Sequence, residues 1–137
     1  MSDPRGVLER SGVVAVVGCS TSPGKAAQRI PRDLQAAGYR VIPVHPSAEE
    51  ILGERVYRSL TEIEDPVDLV DVFRPAAEAP GIARQAVQIG AKALWLQLGI
   101  RSPEARTIAT EAGLDYVEDR CTGADRRWYG ITKAARR

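Results

Sequence analysis

Apolar residues along this chain fall into short unbroken runs separated by amphipathic stretches. The most uniform run is Val13-Val14-Ala15-Val16-Val17. It is too short for a helix and lacks the alternation of a half-exposed strand, so it predicts a strand buried on both faces. Gly18 stops the run and a loop of small and hydroxyl residues follows. From Ala26 to about Ala37 the apolar positions recur at helical spacing, with Ile30 and Leu34 four apart beside Ala27 and Ala37. Pro31 lies inside that stretch, and the pattern leaves open whether regular helix begins close to it or kinks there.

The alternation continues to the far end of the chain. Asp3-Pro4 predicts a capped helix to about Glu9. Tyr39 to Val44 predicts a second strand, with Pro43 at its fraying end because proline removes a ladder hydrogen bond. Val56-Tyr57 predicts a very short edge strand, and Thr61 to Glu64 a brief helix at capping-box spacing. Val67 to Phe73 predicts a strand, Glu78 to Ile89 a helix, and Ala93 to Leu98 another strand. Ser102-Pro103 opens a helix with Ala105, Ile108, Ala109 and Ala112 inward, before a last strand from Leu114 to Val117.

Gly38, Gly90 and Gly113 each close a helix shortly before an apolar strand, the place where a left-handed residue is wanted. Strands alternating with helices and joined by right-handed crossovers imply an α/β, doubly wound, mainly parallel sheet of five to six strands with helices on both faces. Ligands bind such sheets at the carboxyl ends of the strands. That edge would collect Gly18 to Ser20, His45-Pro46, Phe73 to Pro75, Gln97 to Gly99 and Asp119 to Cys121.

Composition narrows the classes. At 137 residues the chain is read as a single domain, with a core over about 11–121 and a basic extension over 122–137, docked or loose. A formal net charge of +1 offers no global field for nucleic acid. No apolar run approaches a membrane span and MSDPRGVLER has no signal-like apolar segment, so the expectation is no membrane and a cytoplasmic location. Cys19 and Cys121 form neither zinc nor CxxC spacing, so no metal site is expected and both should be thiols.

A buried strand, a glycine turn and a helix together aim N–H groups at a phosphate. The dinucleotide fingerprint nevertheless fails, because Gly18 is followed by Ser20 and Pro23 where it wants glycines. The second strand ends in Val44-His45-Pro46 with no acid before Glu49, and no GK[ST] occurs. These failures count against a nicotinamide dehydrogenase and against an NTPase. No nucleophile–base–orienter set is visible, so no catalytic residue is assigned. His45 has no carboxylate to orient it and reads as a loop residue or stacking partner. Trp95 reads as core. Asp68 and Asp71 are three apart on one strand and point to opposite faces, so they cannot work as an acid pair.

Five ordered blocks carry a family resemblance: Val16-Val17-Gly18-Cys19-Ser20, Gly38 to Pro46, Val70-Asp71-Val72-Phe73-Arg74, Leu94-Trp95-Leu96-Gln97-Leu98-Gly99 and Asp119-Arg120-Cys121. Together they resemble the small single-domain CoA-binding proteins, which are similar to the CoA-binding domain of the succinyl-CoA synthetase alpha subunit. The resemblance implies a three-layer Rossmann-like domain holding coenzyme A along the carboxyl edge, with Gln97 on that edge. It places Gly18, Cys19 and Ser20 at the pyrophosphate and Pro43, His45 and Pro46 at the adenosine. Phe73, Arg74 and Pro75 would flank the nucleotide, and Cys121 would sit towards the pantetheine thiol. The phosphates need cations, for which Lys25, Arg29 and Arg74 are the nearest candidates. Relatives often carry a basic residue after the second-strand proline. Here Ser47-Ala48-Glu49-Glu50 stands instead, which either removes recognition of the adenosine phosphate or hands it to another cation.

Two thiols keep alternative readings. Cys121 is either an inert core residue or a thiol that meets the sulfur of CoA. Cys19 either replaces an alanine or is activated by a helix N-terminus. The expected function is binding of CoA or an acyl-CoA by a binding or regulatory module without its own catalysis. The alternatives are an NAD(P)-linked oxidoreductase and a ligand-free Rossmann-like interaction domain.

Overall fold

The computed structural model describes residues 1–134. The last three residues of the predicted basic extension lie outside them. The strands are β1 (Val13–Val17), β2 (Arg40–Val44), β3 (Glu50–Ile51), β4 (Glu54–Arg55), β5 (Leu69–Val72), β6 (Ala93–Leu96) and β7 (Asp115–Val117). The helices are α1 (Pro4–Arg10), α2 (Ala26–Ala36), α3 (Ala79–Gln88), α4 (Pro103–Glu111) and α5 (Thr122–Trp128). A five-stranded sheet runs in the order β2-β1-β5-β6-β7, and every pairing in it is parallel. The order reverses between β1 and β5, the topological switch point of a doubly wound sheet.

Alternate residues of the strands build two cores. Ala15, Ile42, Val70, Leu94 and Leu96 face α3 and α4, whose Ala83, Ala86, Ala105 and Ala109 are buried against them. Val14, Val16, Val41, Leu69 and Trp95 face the other layer, with Leu8 of α1, Leu34 of α2 and Ile131 beyond α5. Small alanines on α3 and α4 let those helices lie close to the sheet. Ala112, expected inward, is exposed because α4 ends at Glu111 and Ala112 is its cap.

Pro43 is not at a fraying end. It is paired with Val16 inside β2, an edge strand. On the outer side of β2, Tyr57 donates its N–H to the Pro43 carbonyl at 3.0 Å and accepts one from His45 at 3.0 Å. The missing proline N–H faces that outer side, so no bond to β1 is lost. Tyr57 thus adds a single parallel bridge to Val44 rather than a strand. The β3–β4 hairpin, which the hydrophobic pattern did not predict, turns through Leu52 and Gly53, both at positive φ (55° and 75°). The predicted Thr61–Glu64 helix is one 3-10 turn, Leu60–Glu62, capped by Ser59 instead of Thr61. Pro66 blocks its continuation by keeping the preceding residue out of helical backbone.

Pro31 lies within continuous helix. Having no N–H, it leaves the Ala27 carbonyl without its usual helical donor. That carbonyl accepts the N–H of Ser20 at 3.0 Å instead, and the Gln28 side-chain amide donates to the Ser20 carbonyl at 3.0 Å. The proline therefore helps to tie the glycine-turn loop to the first turn of α2.

The extension is docked over its described part. Thr122, Gly123, Asp125 and Ile131 are buried, while Trp128 is 82% exposed. Arg126 reaches Asp33 of α2 at 3.2 Å, and the Lys133 N–H donates to the Ala37 carbonyl at 2.7 Å.

Candidate functional site

The ends of β1, β2 and β5 converge on a cleft of about 560 Å³ at the switch point. Gly18, Cys19, Ser20, Lys25, His45, Pro46, Phe73 and Arg74 line it, joined by Thr21, Ser22 and Arg58. Gly18 has a φ of +87°, and a Cβ there would lie 2.8 Å from both the Phe73 carbonyl oxygen and Arg74 Cδ. The glycine is thus required by the approach of β5 to β1 as well as by the turn. Its own N–H donates to the Val44 carbonyl at 3.2 Å.

Much of the loop's donor capacity is already engaged. Ser22 N–H donates to Ser20 Oγ at 2.9 Å, Lys25 N–H to the Ser22 carbonyl at 3.1 Å, and Ser20 N–H to Ala27 as described. Thr21, Gly24 and the first two residues of α2, Ala26 and Ala27, supply N–H donors that remain for an anion, and the helix dipole adds to them. Lys25 is the N-cap of α2, in extended conformation, and is exposed. Among the described residues it makes no ion pair, whereas both arginines of the cleft do. Arg74 is held by Glu78 through two bonds, of 3.1 and 2.6 Å. The guanidinium in turn keeps the Glu78 carboxyl below its usual range.

His45 Nδ1 accepts the N–H groups of Ser47 and Ala48, at 3.1 and 3.0 Å. As an acceptor Nδ1 carries no proton, which leaves Nε2–H as the donor of the neutral ring. Among the described residues no carboxylate bonds to the ring. Arg58, which sequence reasoning did not select, fills the space left without a basic residue after Pro46. It donates to the carbonyls of His45 (3.2 Å), Ser47 (3.2 Å) and Ala48 (2.6 Å), and to Glu49 Oε1 (3.1 Å). A cation that sits outside the β2 loop in sequence and enters only by the return of the chain through Tyr57 leaves no local signal.

Five of the residues expected at the site lie elsewhere. Pro43 is buried in β2, and Pro75 is exposed at the start of a 3-10 turn. Gln97 is 4% exposed, with its amide donating to Asp71 Oδ1 at 2.5 Å and to Thr122 Oγ1 at 2.7 Å. Thr122 in turn donates to Asp71 Oδ2 at 3.0 Å, so this trio pins α5 to β5 and β6. Burial pushes the Asp71 carboxyl up to about 7, against the lowering effect of those bonds. Arg29 and Cys121 line a second groove, between α2 and α5, with Asp33 and Arg127. Lys25 and Arg29 would share a face four apart on a helix, but Lys25 is the extended cap, so the helical register does not carry over.

The thiols also differ in character. Cys19 borders the cleft but is 0% exposed, and burial, reinforced by Asp71, pushes its thiol up to about 12. That overturns the reading of Cys19 as an activated thiol. Cys121 is half-buried as the N-cap of α5, its sulfur accepting the Ala124 N–H at 3.4 Å. No cluster of metal-binding side chains occurs among the described residues, and none of their helices is long and apolar enough to cross a membrane.

Comparison with known proteins bears on the family and the fold. A family model described as CoA binding domain matches residues 12–127. The chain is 37% identical over 115 residues to the uncharacterized protein YneT of Bacillus subtilis, covering 84% of this chain and 85% of that protein. It is 29% identical over 79 residues, 58% of this chain, to an ADP-forming acetate–CoA ligase of Methanocaldococcus jannaschii, of which the match spans only 11%. In three dimensions it is similar to a hypothetical protein from Pyrococcus horikoshii OT3, with a TM-score of 0.88 and 35% identity over 91% of this chain and 88% of that one.

Proposed function

The chain belongs to the CoA binding domain family, and we propose that it holds coenzyme A or an acyl-CoA in the carboxyl-edge cleft, as a binding or regulatory module without chemistry of its own. The observation that carries this reading is the convergence of Lys25, Arg58, Arg74 and the Gly18–Ser22 loop on one cleft at the switch point. A pyrophosphate there meets cations and N–H donors together. His45 and Pro46 then border the adenosine, with the Nε2–H donor available to it, and Phe73 packs along the nucleotide. Pantetheine leaving along α2 would reach the second groove, where Arg29 and Cys121 lie.

No group in the cleft is set up as a nucleophile with a base. His45 is engaged in shaping its own loop and Cys19 is buried as a neutral thiol, so binding is favoured over catalysis. Calorimetric titration of the reduced, ligand-stripped protein with CoA, NADP and ADP tests this. Saturable CoA binding, well above NADP, is the expected result. Tighter NADP binding would move the protein to the oxidoreductase reading, and no binding by any of the three to an interaction domain that has lost its ligand.

A further inference from the structure

Both arginines of the cleft are neutralised by a glutamate from their own neighbourhood, but the two pairs are built differently. Arg74 and Glu78 form a two-bond fork four residues apart, each side chain about half exposed. Arg58, with its side chain 38% exposed, is held by the backbone instead. Three of its hydrogen bonds go to backbone carbonyls of the loop after β2, so its position is set by the loop. The fourth goes to Glu49, whose side chain is 93% exposed and makes that single bond. The guanidinium is therefore fixed and the carboxylate is held by almost nothing else.

We propose that Arg58 reads a phosphomonoester on the ribose of the ligand, and that Glu49 is an internal anion which this phosphate displaces. The inference rests on the reading of the cleft as a nucleotide site. The end of the second strand is where doubly wound domains contact the ribose, and an arginine there suits a ribose phosphate as an acid suits ribose hydroxyls. An exposed ion pair is among the weakest interactions in a folded protein, so Glu49 leaves easily. A phosphate dianion offers more charge and more acceptor oxygens to the same N–H than a carboxylate does. Glu49 then acts as a selectivity filter. A ligand without the phosphate leaves the Glu49–Arg58 bond in place and gains nothing from Arg58. The same chemistry is present in the 3′-phosphate of CoA and the 2′-phosphate of NADP.

The test titrates the full-length reduced protein with two ligand pairs, CoA with dephospho-CoA and NADP with NAD. In the wild type the phosphorylated member should bind about tenfold tighter, the order expected for a hydrogen bond to a charged group. Glu49→Gln removes the competitor without touching the backbone bonds of Arg58. It should widen the preference by about threefold, the order of one exposed ion pair. Arg58→Gln should collapse the preference towards unity. Because that variant could also loosen the loop, Glu49→Gln is the deciding one. A Glu49→Gln preference equal to or below that of the wild type overturns the proposal. CoA and dephospho-CoA binding equally to the wild type would also overturn it, while leaving CoA binding itself intact. An Arg58-dependent preference for NADP over NAD, with no CoA binding, would support the ribose-phosphate role and sink the CoA reading. Binding of neither pair would remove both.

Discussion

The two edges of the sheet carry clefts of similar volume, about 560 Å³ at the carboxyl ends and about 510 Å³ at the amino ends, and their chemistry is opposite. At the amino edge, α3 and α4 finish beside Gly90 and Gly113, so carbonyl ends of helices face the cleft. Three of the charged residues there, Arg10, Asp115 and Asp68, are paired with one another or with backbone. Arg10 meets Asp115 at 2.8 Å, and Asp68 accepts the N–H groups of Gly12 and Val13 at 2.9 and 2.8 Å. At the carboxyl edge the start of α2 and the loop before it present N–H groups, and Lys25 stands at the cap. A parallel sheet imposes this asymmetry, because every crossover helix starts at one edge and ends at the other. Size does not distinguish the clefts. Backbone polarity does.

Glycine substitutions give the sharpest contrast. Gly18→Val must place a β-branched side chain at φ +87°, into the Phe73 carbonyl 2.8 Å away. The expected cost is on the order of 3 kcal/mol, with loss of measurable CoA binding. Gly113 has nearly the same φ, +85°, but a methyl group there would meet nothing within 4 Å. Gly113→Ala should cost about 1 kcal/mol and leave CoA affinity unchanged. Urea unfolding and titration of both variants measure this, and equal costs would erase the distinction.

The aspartates at the two ends of β5 differ in the same way. Asp68 is held as an acceptor by two N–H groups, whereas Asp71 is fully enclosed and pushed from 3.8 up to about 7. The folded state therefore binds the Asp71 proton more tightly than the unfolded chain does. This group makes stability fall as pH rises from about 4 through about 7, with no further loss above that. Asp71→Asn should remove a fall on the order of a few kcal/mol between about pH 4 and pH 8. Urea midpoints at several pH values read it, and an unaltered slope would assign the dependence to another group.

Smaller effects separate the cations. Lys25→Gln should weaken CoA binding about tenfold, most visibly at low salt where screening is least. Lys92→Gln, in the amino-edge cleft, should leave titration curves superimposable on the wild type. The smallest change expected is from Asp115→Ala, which breaks the exposed Arg10 pair for about 0.5 kcal/mol of stability. A larger loss would show that the amino edge contributes more to the fold than its exposure implies.

The buried run at β1, the glycines after α2, α3 and α4, and the capped start of α1 could all be read directly from the chain. Each depends on a repeat of burial or a backbone preference within a few residues. The β3–β4 hairpin escaped because Leu52 is not a residue that announces positive φ. Arg29 was read into the cleft and lies in the α2–α5 groove, because one turn of helix separates it from a cap that is not itself helical.

The sequence alone determined the alternation of the five sheet strands with the helices between them, the parallel sheet and the edge to which the carboxyl ends of the strands point, since periodicity and glycine placement are local and direction along the chain sets polarity. Only the tertiary structure decided which side chains occupy that edge. Arg58 enters the cleft because the chain doubles back through a hairpin to bridge Val44. Gln97 leaves the candidate ligand surface because Asp71 and Thr122 claim its amide beneath α5. Such partners are tens of residues apart, and whether a polar group meets a ligand or another buried polar group depends on how the layers pack.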